Sequence, residues 1–214
     1  MPAIVRYDQQ YCPIARALDV LGDRWTLLIM RELLMGDQRF TDLRTHLPGI
    51  APTLLTQRLR TMVENGLVAT KQLPPPAARS VYTATEHGRS VLPVMRSLAQ
   101  WGMPLLEEPT DDLEMRPQMC SNAMVAGYYS ADRAAGIDER YLLRIDGEDI
   151  TLSSAKGGGA PHEVPDLVLE STARTWVDIR KGHLTLRDAI KQGRVHRTGS
   201  ATALGNFQRI FSVP

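Results

Sequence analysis

Apolar positions recur at helical spacing from the first residues onward. Ile14, Ala17, Leu18 and Leu21 define a helix that Pro13 opens and Gly22 stops. Asp23 is placed to cap a second helix, with Trp25, Leu28, Ile29 and Leu33 on one face and an end near Gly36. Thr41 would cap a short third helix carrying Leu43 and Leu47, closed by Pro48-Gly49. Pro52 opens a long fourth helix with an apolar stripe of Leu55, Leu59 and Met62, ended by Asn65-Gly66. Thr53, Thr56, Gln57 and Arg60 fall off that stripe. Residues 67–73 and 80–83 then read as two strands joined by a proline-rich projecting loop. Thr85 with Glu86 opens a further helix carrying Val91, Leu92, Met95, Leu98 and Trp101, with Pro93 as a kink inside it. The order helix, helix, short helix, helix, strand, wing, strand, helix predicts a winged helix-turn-helix over residues 1–106.

An acidic stretch with two prolines, residues 107–117, reads as a linker, and the pattern changes after it. Residues 118–129 suggest a helix with Met119, Ala123 and Ala126 on one side. Residues 140–145 and 149–153 suggest a hairpin through Asp146-Gly147. A glycine loop follows at 156–161, then a strand at 164–169. Helices are expected at 172–181 and 185–192, a strand at 194–198 and an amphipathic helix at 200–211. This predicts a second α+β domain, residues 118–214, with a small sheet packed by helices.

Charge sharpens the division. Formal net charge is +1 over 214 residues. Split at Met103 it is +4 before and −3 after, and residues 39–79 alone carry +4. The near-neutral total excludes a polybasic protein, while the local excess suits phosphate, because basic side chains displace condensed counterions. Thr53, Thr56, Gln57 and Arg60 have the chemistry to reach base edges, where Gln suits adenine and Arg suits guanine. Arg39, Arg58 and Arg79 join them as DNA-binding candidates, and spacing leaves open whether Arg58 or Arg60 faces the bases. A solvated face of a protein-interaction module is the alternative.

Two cysteines, Cys12 and Cys120, are too few for a disulfide framework or a structural zinc site. No stretch reaches the ~18 apolar residues that a membrane span needs, and the start lacks the apolar segment of a signal peptide. A cytoplasmic protein is expected. Ser153, Ser154, His162 and Asp166 lack a G-x-S-x-G elbow, and the glycines after Lys156 lack phosphate-loop order. His162, His183 and His196 have no metal-ligand spacing. Neither an enzyme nor a cofactor or metal site is expected.

Residues 12–36 (CPIARALDVLGDRWTLLIMRELLMG), 39–68 (RFTDLRTHLPGIAPTLLTQRLRTMVENGLV) and 82–94 (YTATEHGRSVLPV) closely resemble the HxlR family of bacterial winged-helix regulators. The resemblance covers about residues 8–105 and departs at the wing, where PPPAA is unusually rich in proline. It implies a homodimer on pseudo-palindromic, double-stranded operator DNA, with dimer contacts from the terminal helices. In some relatives a cysteine at the place of Cys12 senses oxidants or electrophiles. The partial positive charge of a helix N-terminus stabilises a thiolate in general. A thiol-based regulator with a structural C-terminal domain is therefore the alternative reading, and a small buried residue at the dimer interface is the bland one. Residues 165–211 resemble the sterol carrier protein-2 domain, which implies an apolar tunnel for a hydrophobic effector. Met124, Tyr128, Trp176, Ile179, Phe207 and Phe211 are the lining candidates, with Leu186 and Ile210 beside them. Sequence does not separate lining a tunnel from filling a core.

Overall fold

The computed structural model describes residues 10–74, 79–107, 115–122, 126–154 and 164–214. The chain divides into two compact units, Met1–Met95 and Arg96–Pro214.

In the first unit α1 (Pro13–Leu21), α2 (Thr26–Met35), α3 (Phe40–His46) and α4 (Pro52–Glu64) precede the hairpin β1 (Val68–Gln72) and β2 (Ser80–Ala84). The strands pair antiparallel, Val68 opposite Ala84 and Gln72 opposite Ser80. Ile29, Met30, Leu33, Leu43, Leu55, Leu59 and Met62 form an almost purely aliphatic core. Three expected details differ. Asp23 does not cap α2; its carboxylate accepts the N–H of Trp25, the residue just before the helix, at 3.0 Å, and α2 starts at Thr26. The helix expected from Thr41 begins at Phe40. Asp42 at its third position accepts the N–H of Arg39, so the start is fixed from within. The helix expected as one kinked rod is two: α5 (Glu86–Arg89) and α6 (Leu92–Gly102). Pro93 takes the second position of α6, where a missing N–H leaves no bond unmade.

Gly88 explains how α5 sits. A Cβ there would lie 2.1 Å from the Leu67 carbonyl oxygen. Thr85 caps α5 through the Gly88 N–H and donates its hydroxyl to the Gly66 carbonyl at 2.6 Å. The strand end and the helix start are thus pinned to each other.

In the second unit a four-stranded sheet has the order β4-β3-β5-β6. These are β3 (Arg140–Ile145), β4 (Glu148–Ser153), β5 (Leu167–Ser171) and β6 (Val195–Gly199). β3 and β5 run parallel, and the outer strands pair antiparallel. Asp146 and Gly147 both take positive φ, the turn that matches the twist of a hairpin. Tyr141, Leu143 and Ile145 of β3 point inward with Leu167 and Leu169 of β5. α9 (Ala173–Arg180), α10 (Leu186–Lys191) and α11 (Ala201–Ile210) supply much of the rest of the core. Thr172, Thr185 and Ser200 each cap their helix with a side-chain oxygen.

The strand expected from Val164 starts at Leu167. Pro165 has no N–H to give a ladder, and the Asp166 carboxylate instead accepts the Arg140 N–H at 2.8 Å. The helix expected over 118–129 is not one α-helix. α7 (Pro117–Cys120) stops early, and Ala126–Tyr128 is a tighter 3-10 turn. A short α8 (Ala131–Ala134), capped by Ser130, was not foreseen. Among the described residues no helix is long and apolar enough to cross a membrane, and no cluster of ligating side chains suits a metal.

Candidate nucleic-acid interface

The helix-turn-helix is built by a turn that is buried at both ends. Leu47 and Ile50 are almost fully buried, and Gly49 between them takes a φ of +88°, which an L side chain resists. α4 then starts at Pro52, with no acidic residue in its first turn. Its buried side is Leu55, Leu59 and Met62. Thr53, Thr56, Gln57 and Arg60 are all exposed. They stand three and four residues apart, so they share one face on the side away from the core. The Thr56 hydroxyl donates to the Pro52 carbonyl at 2.9 Å, which fixes its rotamer and leaves its lone pairs outward. Arg60 Nε meets Glu64 Oε1 at 2.9 Å, but both side chains are more than half exposed. Such a pair contributes little and is readily exchanged for phosphate.

Arg58 differs. Its Nη2 lies 2.5 Å from Asp23 Oδ2 and only 22% of its side chain is exposed. Arg39 is half-buried at the start of α3, and Arg44 is exposed on it. Arg79 is exposed where the wing returns to β2, its carbonyl accepting the Leu73 N–H at 2.8 Å. Residues 75–78, the tip of the wing, lie outside the described residues. Lys71 Nζ is 3.4 Å from Asp37. A hydrogen bond from Thr83 and the nearby Lys71 ammonium hold the Asp37 carboxyl below the usual range, despite some desolvation.

One buried charge escaped the sequence reading. Glu32 is fully buried in α2 and bonds Arg31 through both Nε, at 2.8 Å, and Nη2, at 2.7 Å. Its other oxygen stands 3.4 Å from His46 Nδ1 at the end of α3. The signal was there to read, because Glu32 shares the helical face of Ile29 and Leu33.

The effector candidates are placed differently from one another. Trp176, Ile179 and Phe207 are fully buried and Phe211 is 2% exposed. Phe207 packs against Tyr141, Trp176 and Phe211 with ring centroids 5.3, 6.3 and 5.1 Å apart. These four side chains belong to the buried core of the second unit, as do Leu186 and Ile210. Tyr128 instead carries the Arg180 guanidinium 4.0 Å from its ring centroid. Met124 and His162 lie outside the described residues. A groove of about 500 Å³ in the same unit is lined by Asp146, Glu170, Thr172, Thr175, Arg194 and His196 among others.

Cys12 is half-buried at the N-cap of α1 and its side chain makes no capping bond. Cys120 is buried, and desolvation with the Asp146 charge pushes its thiol up to about 12, so it stays protonated. Ile14 and Leu18 of α1, and Val94, Leu98 and Trp101 of α6, are exposed apolar side chains.

Comparison with known proteins places the first unit. Residues 20–110 match the HxlR-like helix-turn-helix family model. The helix-turn-helix-type transcriptional regulator YvaP of Bacillus subtilis is 31% identical over 93 residues, 43% of this chain and 86% of that protein. Rv3095 of Mycobacterium tuberculosis, also named as such a regulator, is 38% identical over 108 residues, 50% of this chain and 68% of its own. The crystal structure of PA1607 is 34% identical, covering 52% of this chain and 77% of that one, with a TM-score of 0.45. These relatives are regulators of transcription, not enzymes. The chain belongs to the HxlR-like helix-turn-helix family of transcriptional regulators.

Proposed function

We propose that the protein is a cytoplasmic, dimeric regulator that reads double-stranded operator DNA through α4. The observation that carries this reading is the exposed row Thr53, Thr56, Gln57 and Arg60, opposite the buried stripe of the same helix. A face with hydrogen-bonding side chains on a rigid, core-anchored helix suits a major groove. Arg39, Arg44 and Arg79 supply cations for the phosphates, and the uncapped first turn of α4 presents backbone N–H groups to them. The exposed apolar side chains of α1 and α6 support a second copy of this chain as the dimer partner. Titrating the protein against a labelled duplex from its own upstream region, over a salt series, tests the reading. Affinity should fall with a slope of about −0.9 per neutralised phosphate. A flat salt response, or sedimentation as a monomer when bound, would reject it.

The second unit is proposed to answer a hydrophobic effector, in line with its resemblance to sterol carrier protein-2. The supporting observation is a pair of orphan polar atoms. Among the described residues, Trp176 Nε1 and Ser121 Oγ are buried without a hydrogen-bond partner in residues that are fully inaccessible. Buried donors of this kind are costly unless something accepts from them. An apolar molecule with a polar head would satisfy one of them while parting the aromatic side chains. Its entry would change the Trp176 fluorescence, which titration with fatty-acid or isoprenoid vesicles measures against a Trp176→Phe control. Unchanged emission and unchanged DNA affinity in both would remove the effector from the account. The alternative, a thiol switch at Cys12, predicts that oxidant releases DNA from the native protein and not from Cys12→Ser.

A further inference from the structure

Arg58 belongs to α4 but not to its exposed face. Its guanidinium turns to Asp23, which stands in the short segment between α1 and α2. The Asp23 carboxylate divides its two oxygens between two elements. Oδ1 accepts the Trp25 N–H at 3.0 Å and so shapes the entry to α2, while Oδ2 holds Arg58 Nη2 at 2.5 Å. There is little slack behind it. Gly22 closes α1 with its N–H on the Leu18 carbonyl at 2.8 Å, and a Cβ at Gly22 would lie 2.5 Å from that oxygen. Side-chain exposure is 22% for Arg58 and 30% for Asp23, so the pair is partly withdrawn from water. Among the described residues, Arg58 Nε is buried with no partner, so Nη2 on Asp23 carries the guanidinium's charge-assisted contact.

A guanidinium so placed would have to abandon a partly buried carboxylate in order to touch DNA. We infer that Arg58 is a positioning residue: the Asp23–Arg58 pair sets the rotation and tilt at which α4 presents Thr53, Thr56, Gln57 and Arg60. This rests on the reading that α4 enters DNA. It divides two neighbouring arginines that sequence leaves equivalent, Arg60 toward the nucleic acid and Arg58 toward the scaffold. Sequence preference then depends on a carboxylate that touches no base.

The test compares the native protein with Asp23→Asn, Asp23→Glu, Arg58→Gln and the double variant Asp23→Asn/Arg58→Gln. The probes are a duplex enriched from a random-sequence pool by the native protein and a shuffled duplex of equal length and composition. For Asp23→Asn the inference expects affinity for the enriched duplex to fall about tenfold, within the usual range of coupled pairs. Affinity for the shuffled duplex and its salt slope should be unchanged. The double variant should match the single ones, because all lose the same pair. Asp23→Glu, which keeps the charge on a longer arm, should lie between native and Asp23→Asn. That variant decides the matter if Asp23→Asn does not fold. A merely unstable protein would lose both duplexes together. If Arg58 instead contacts DNA, Asp23→Asn frees it and binds the enriched duplex at least as tightly as the native protein. Arg58→Gln then lowers the salt slope by about one. Either result overturns the inference. Failure of the native protein to bind any duplex would overturn the DNA reading itself, and is distinguishable from both.

Discussion

The two units solve the same burial problem with different side chains. The first packs leucines, isoleucines and methionines under its helices and turns a row of polar groups outward on α4. The second packs rings: Tyr141, Trp176, Phe207 and Phe211 meet edge-on or tilted in the centre of its core. Aliphatic packing leaves the function of the first unit on its surface, where spacing along a helix reveals it. Aromatic packing puts the most informative side chains of the second unit inside, where their role depends on whether anything joins them. The difference teaches that a strong apolar pattern states where a core is and not what the core is for.

The sharpest way to break the comparison is to hollow each core separately. Phe207→Ala should cost the second unit about 3–5 kcal/mol, and Leu59→Ala the first about 2–5 kcal/mol. Denaturation followed by ring fluorescence and by duplex binding should then come apart. Phe207→Ala should spare DNA binding at temperatures where Leu59→Ala abolishes it. Gly88→Ala comes next. Its new methyl meets the Leu67 carbonyl oxygen at 2.1 Å, so the first unit should lose about 1–3 kcal/mol by thermal unfolding, with the second unit unmoved.

Much of the first unit was legible because its helices carry their own start and stop residues: Pro13, Gly22, Pro52, Gly66. The break between α5 and α6 was not, because a proline inside an apolar pattern reads equally as a kink or as the start of a new helix. The exposed face of α4 was legible down to the residue, whereas the commitment of Arg58 was not. Its partner Asp23 is thirty-five positions away and looked like a helix cap. In the second unit the hairpin and the last three helices followed from turn and cap residues. The region around residues 118–134 did not, because its short turns have no period long enough to measure. The apolar residues proposed as tunnel walls were correctly apolar, yet burial depends on what stands opposite, and a single strand of sequence does not carry that.

Acid offers a gentler probe of the second unit. Burial raises the Asp178 carboxyl, but Arg194 and Arg174 more than offset this and leave it below the usual range. A carboxylate held down in the folded state stabilises the fold above its unfolded value and loses that contribution as pH falls through the folded value. The second unit should therefore weaken below about pH 4, the ordinary carboxylate range. Arg194→Gln lets the folded value rise toward the unfolded one, so it should shrink that acid-dependent loss and cost about 1–2 kcal/mol near neutrality, since the pair is only partly buried. Acid titration of the variant against the native protein measures both. The smallest expected effect is at the wing. Arg79→Ala should lower the salt slope of DNA binding by about one and leave sequence preference unchanged.

The central claim is that the outward face of α4 reads bases. Competition between the enriched and shuffled duplexes, measured by fluorescence anisotropy for the native protein and for a Thr53→Ala/Gln57→Ala/Arg60→Ala variant, addresses it directly. Each bidentate base contact is worth about 1–3 kcal/mol of discrimination. The account predicts that the variant keeps salt-dependent binding to both duplexes and loses its preference between them. A variant that still prefers the enriched duplex as strongly as the native protein does would contradict it.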